Sequence, residues 1–130
     1  MKAKTKKVNI ESLMTISDWK GVWAAQKAAD ASLLIIFKRA PACPSALVIE
    51  ERFLHWLEGL GQKILDGIRV VTVHVVNERP VSKRVEKDTG VKHESPQALV
   101  FDARRKPVWS ASHGAISEAA LARALASTRL

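Results

Sequence analysis

The run at residues 32–37, SLLIIF, constrains this chain more than any other feature. It is short, continuous and rich in branched side chains, which fits a strand buried on both faces. It stops at Lys38-Arg39, and Ala40-Pro41-Ala42-Cys43-Pro44 follows. Beyond that point Ala46, Leu47, Phe53, Leu54, Leu57, Leu60 and Ile64 recur at helical spacing. Pro44 suits the first turn of such a helix, because its missing N–H would be unpaired there anyway. Cys43 is therefore expected at the N-cap, between a buried strand and a helix.

The remaining segments extend this pattern. Ile16, Trp19, Val22, Trp23 and Ala24 make an amphipathic stripe between residues 15 and 29, with Ser17 or Asp18 as its cap. Residues 68–76, IRVVTVHVV, are dense in β-branched side chains and read as a second strand. Asn77 is placed to cap a helix that begins near Pro80 and ends near Gly90. Residues 97–102 and 106–110 read as a hairpin around Ala103-Arg104-Arg105. Ser117 then caps a last helix bearing Ile116, Leu121, Ala124 and Leu125. Two strand–helix–strand steps followed by a hairpin imply an α/β domain with a central four-stranded mixed sheet flanked by helices. Its first two strands should be parallel, with the hairpin antiparallel to them.

Composition bounds the function. The chain has 130 residues, 47% apolar and 26% charged, enough for one packed domain without staples. Its only cysteine is Cys43, so it can form no internal disulfide and no cysteine-rich metal site, and a reducing compartment is expected. Residues 1–12 read as a basic tail, with Lys2, Lys4, Lys6 and Lys7 near its start, and residues 13–130 as a single domain. Asn9, Glu11 and Ser12 interrupt any apolar stretch after those lysines, so no secretory signal is expected. No apolar run approaches the about 20 residues of a membrane span, and a soluble cytoplasmic protein with no membrane partner is expected.

A lone cysteine at a helix start has a specific chemical meaning. The thiolate is the nucleophile, and unpaired N–H groups at a helix N-terminus favour that anion. Lys38 and Arg39 are positioned to add positive field, and Ser45 offers a hydroxyl. Read this way, Cys43 is a reactive thiol; read blandly, it is a small buried hydrophobe. Pro96, after the polar loop Glu94-Ser95, has two readings as well: a cis proline, or an ordinary trans proline opening an edge strand.

The order of these pieces resembles a thioredoxin fold: strand, Cys43-Pro44 at a helix start, Pro96 before a hairpin, and His113-Gly114-Ala115-Ile116-Ser117 entering a final helix. More narrowly, the chain is similar to the monothiol bacilliredoxin family. Val76-Asn77-Glu78-Arg79-Pro80-Val81-Ser82, Val108-Trp109 and Ser112-His113 contribute to that resemblance. Its most specific part is Gly90-Val91-Lys92-His93-Glu94-Ser95-Pro96-Gln97-Ala98-Leu99. The resemblance implies that Cys43 attacks mixed disulfides between a client protein and bacillithiol, or a similar low-molecular-weight thiol. That thiol is a co-substrate; no bound cofactor is expected. The small thiol moves onto Cys43, the client leaves reduced, and a second thiol regenerates the enzyme. The position three after Cys43 is Ala46, so no resolving cysteine exists. Ser95, before the proline, is implied to offer its backbone to the client as an added strand, beside Pro44, Ser45 and Pro96 as substrate-binding positions. His93 and Glu94 flank this loop and are candidates to assist proton transfer. The chain departs from the family at Ala40, Pro41, Ala42 and Ala46, where hydroxyls are usual, and at Gly114, where tryptophan is common.

Two other function classes stand beside this one. A thioredoxin-fold module in which Cys43 is merely modified would act as a redox sensor. A nucleic-acid accessory role rests on 21 basic against 13 acidic residues, a formal charge of +8, with Arg104-Arg105-Lys106 in one place and Lys83, Arg84 and Lys87 in another. Aromatics are only 5% of the chain and the tryptophans mostly fall on core stripes, so a solvated basic surface is the plainer reading and nucleic acid is not an expected partner. His55, His74, His93 and His113 show no metal-ligand spacing, and no metal site is expected.

Overall fold

The computed structural model of the protein describes residues 8–27 and 32–128. The Lys2, Lys4, Lys6 and Lys7 cluster and the end of the first predicted helix lie outside them. The elements in order are β1 (Ile10–Ser12), α1 (Ile16–Ala25), β2 (Leu33–Arg39), α2 (Pro44–Glu58), α3 (Gln62–Leu65), β3 (Ile68–His74), α4 (Arg79–Thr89), β4 (Gln97–Phe101), β5 (Pro107–Ser112) and α5 (Glu118–Ala126). The strands form one sheet in the order β1-β3-β2-β4-β5. β1 and β2 run parallel to β3, β4 is antiparallel to β2, and β5 is antiparallel to β4.

The sheet thus has five strands rather than the expected four. The addition is β1, from a stretch assigned to the basic tail. It aligns Ile10 with Val70 and Ser12 with Thr72. Three residues carry too little alternation to signal a strand, and Glu11 hides it further. That carboxylate is explained by β3, where Arg69 donates to it through two nitrogens at 2.7 and 2.8 Å.

Alternation along β2 divides the core. Leu33, Ile35 and Phe37 face α2 and α5, packing on Phe53, Trp56, Leu57 and Leu121. Leu34 and Ile36 face α1 and α4, packing on Trp19, Val22, Val81 and Val85. The two helical layers differ in how they are fastened. On the first, Phe37 stacks on Phe53 with ring centroids 4.5 Å apart. On the second, the fully buried Trp19 donates its indole N–H to Asp88 at 2.8 Å, tying α1 to α4.

Several boundaries shift for identifiable reasons. The cap of α1 is Thr15, not Ser17 or Asp18: its hydroxyl accepts from the Asp18 N–H while the Asp18 carboxylate accepts from the Met14 and Thr15 N–H groups. The stripe through Ile64 is two helices, because Gly59 and Gly61 interrupt it and glycine is a poor helix former. α4 begins after Glu78 rather than Asn77, and Gly90 closes it at φ +74°, a left-handed conformation that favours glycine. β5 starts at Pro107 and runs on to Ser112.

Phe53 is fully buried against the central strand, so Phe53→Ala should lower unfolding free energy by about 3–5 kcal/mol. Urea denaturation checks this, and a loss below about 1 kcal/mol would mean that the Phe37–Phe53 stack is not part of the core.

Candidate active site at the start of helix α2

Strand β2 ends and α2 begins within a few residues, and Cys43 is the N-cap of α2 with Pro44 at the first helical position. The intervening loop is closed by a hydrogen bond from the Cys43 N–H to the Ala40 carbonyl at 3.1 Å. The Cys43 carbonyl takes the Leu47 N–H at 3.0 Å, starting the helical ladder. Its side chain is exposed and carries a free thiol. It does not close a capping hydrogen bond onto α2. The Ser45 hydroxyl lies 3.2 Å from Sγ. That hydroxyl first, and then the Ala46 and Ser45 amides, hold the thiol below its ordinary 9.0. Cys43 is therefore an exposed thiol whose anion is favoured, not a core residue.

Ser95 and Pro96 lie at the same end of the sheet. Lys38 of β2 stands opposite Gln97 of β4, directly after Pro96. The Ser95–Pro96 bond is cis. The Pro96 carbonyl accepts from the His113 N–H at 3.1 Å, which fastens the loop to the end of β5. Glu94 faces the same residue, its carboxylate 3.5 Å from His113 Nε2.

The other predicted assistants are engaged elsewhere. Arg39 donates from Nε to Glu50 of α2 at 3.0 Å. Lys38 is fully buried, on the α4 side of the sheet. Its Nζ lies 3.1 Å from His93 Nδ1 and 3.4 Å from the Ser82 carbonyl. The Ser82 hydroxyl reaches the same His93 nitrogen at 3.2 Å. Burial, then the Lys38 charge, depress the His93 pKa against the pull of Glu86 and Glu94. The neutral imidazole is thereby favoured, and the His93 backbone N–H donates to Glu86 at 2.8 Å. This Lys38–Ser82–His93–Glu86 group was not assembled from the sequence. The signal available was the polar stripe Arg79, Ser82, Lys83 and Glu86 at spacings of three and four along α4. The basic residues weighed for nucleic acid are partly occupied: Arg84 pairs with Asp88, and Arg105 lies over the Trp23 ring at 5.0 Å.

Lys38 titrates at about 8 instead of 10.5, because burial penalises the ammonium more than Glu86 supports it. Between those two values the unfolded chain holds a proton here that the folded chain has released, so stability contributed at this position rises with pH. In urea denaturation series, the wild type should gain on Lys38→Met as pH rises from about 8 to 10.5. A constant difference across that window would contradict the burial of this charge.

Solved structures share the architecture. A protein proposed to be an oxidoreductase with a thioredoxin fold superposes with a TM-score of 0.71 at 27% identity, covering 88% of this chain and 92% of its own. Thioredoxin from Fasciola hepatica gives 0.64 at 15% identity, with 90% and 97% covered. Thioredoxin from Malassezia sympodialis gives 0.63 at 14%, with 97% and 96% covered. The fold is thioredoxin-like. No curated protein matches the sequence. The family described as "Monothiol bacilliredoxin BrxC" matches residues 11–121, a span that includes Cys43 and the Ser95–Pro96 loop. That match covers most of the chain, and the protein belongs to the monothiol bacilliredoxin family, whose business is thiol redox chemistry.

Proposed function

We propose that the protein is a monothiol thiol–disulfide oxidoreductase that removes bacillithiol, or a similar low-molecular-weight thiol, from client proteins through Cys43. The observation that carries this reading is an exposed thiol at the start of α2, acidified by Ser45 and two amides, in a chain with no second cysteine.

The chemistry follows from that geometry. The Cys43 thiolate attacks the small thiol's sulfur in the mixed disulfide. A new disulfide forms between Cys43 and the small thiol, while the client sulfur leaves as a thiolate and takes a proton from water. A second low-molecular-weight thiolate then attacks the Cys43 adduct, releasing Cys43 as thiolate and a small-molecule disulfide. Ala46 stands where a dithiol enzyme would hold its resolving cysteine, so the adduct persists until that second thiol arrives.

Pro44 opens α2 without an N–H to leave unpaired. Ser95 presents backbone to a client chain as an added strand, a mode that binds with little side-chain selectivity. Pro96 contributes no N–H and its carbonyl is already taken by His113. His93 and Glu94 act here as supports of the loop, through Lys38 and His113 respectively.

Intact mass after mixing reduced protein with a bacillithiol-modified client peptide tests the reading. The small thiol should appear on Cys43 as free peptide accumulates, and added thiol should sustain many turnovers; Cys43→Ala should show none. Transfer from a glutathione-modified peptide alone would replace the thiol partner. An adduct that added thiol does not clear would make the protein a sensor instead.

A further inference from the structure

A cavity of about 380 Å³ opens between the end of β3, α4 and the loop that precedes β4. It shares His93 and Ser95 with the loop described above and extends from there along α4. Val75 and Val76 supply an apolar wall, and Arg79 and Lys83 line the α4 side. Both cations are exposed, and they stand four residues apart, so they project from one face of the helix with about 5–6 Å between their Cβ atoms. Among the described residues neither belongs to an ion pair. The cavity's one carboxylate, Glu86, accepts the His93 N–H and faces the buried Lys38 ammonium. Burial and the Lys38 ammonium disfavour charge on the His93 imidazole. The balance around the cavity is therefore positive, on a concave surface with an apolar wall, which is the setting for a small anion with a carbon skeleton.

Its position relates it to the thiol. The Val75 N–H donates to the Arg39 carbonyl at 2.9 Å, so the cavity wall begins where β2 ends, and the chain reaches Cys43 four residues later. At the other side Ser95 adjoins Pro96, where β4 begins. Cavity and nucleophile thus share one end of the sheet, on either side of the loop read as the client-binding strand.

We propose that this cavity seats the anionic part of the low-molecular-weight thiol, with Arg79 and Lys83 binding its carboxylates while its sulfur is exchanged at Cys43. The proposal rests on the thiol-transfer reading above and adds to it the class of thiol accepted: one carrying carboxylates remote from sulfur. Two cations a helical turn apart suit a pair of carboxylates better than one, and lysine and arginine differ in that only the arginine offers a planar fork.

The test compares release of one client peptide from disulfides with bacillithiol and with uncharged 2-mercaptoethanol. Three proteins are used: wild type, the double variant Arg79→Gln/Lys83→Gln, and a hairpin double variant Arg104→Gln/Lys106→Gln that removes the same charge elsewhere. The cavity variant should lose about tenfold in second-order rate with the bacillithiol peptide and keep its rate with the 2-mercaptoethanol peptide. The hairpin variant should match wild type on both. Equal losses on both peptides, or a loss no larger than in the hairpin variant, would overturn the cavity assignment while leaving thiol transfer standing. Failure of the wild type on both peptides would overturn thiol transfer itself, and the cavity assignment with it.

Discussion

Strand β2 has a neighbour on each edge and a helical layer on each face, and the rest of the molecule is arranged around that fact. Its main chain is hydrogen-bonded to β3 on one side and β4 on the other. Leu34, Ile35, Ile36 and Phe37 are almost entirely removed from water. A strand held this way has no freedom of register, because a slip of one residue would exchange its two packed faces. The loop at its C-terminal end is fixed accordingly. Cys43 is delivered to the surface at the start of α2, while Phe37 on one side of the sheet and Lys38 on the other remain inside.

That end of the sheet separates two electrostatic tasks. On the α2 side an anion is favoured, and the groups that favour it are local: one hydroxyl and two amides, with Arg39 committed to Glu50. Ala40, Ala42 and Ala46 bring no hydroxyl to this end, and Ser45 is the one in contact with the thiol. On the α4 side a buried ammonium is tolerated, held by a carbonyl, an imidazole and the field of Glu86. Lys38 therefore acts on the loop through His93 rather than on Cys43. The loop that carries Ser95 is braced from both sides, by Lys38 through His93 and by His113 through Glu94 and the Pro96 carbonyl.

Much of the fold could be read from the residues because hydrophobic patterning determines it. The run at residues 32–37 announced the central strand, Pro44 announced the start of α2, and Gly90 announced the end of α4. What escaped reading depends on partners far along the chain. Ile10–Ser12 is a strand only because β3 offers a free edge and Arg69 a counter-charge. Thr15 rather than Ser17 caps α1 because Asp18 completes the box in that register alone. At the site, Cys43 was legible from the junction it occupies. Lys38 and Arg39 were legible as charges but not as to direction, since burial and the positions of Glu50 and Ser82 decide where a long side chain ends. The cavity beside Ser95 needed the packing of α4 on β3 before its residues met.

The fold, and not the cysteine itself, lowers the pKa of the Cys43 thiol. Its ultraviolet thiolate absorbance can be titrated in the native protein and again in the same protein unfolded in urea, with Cys43 as the only thiol in either case. The native midpoint should fall clearly below the unfolded one. Coincident midpoints would contradict this, because the start of α2 and Ser45 would then contribute nothing to the thiolate.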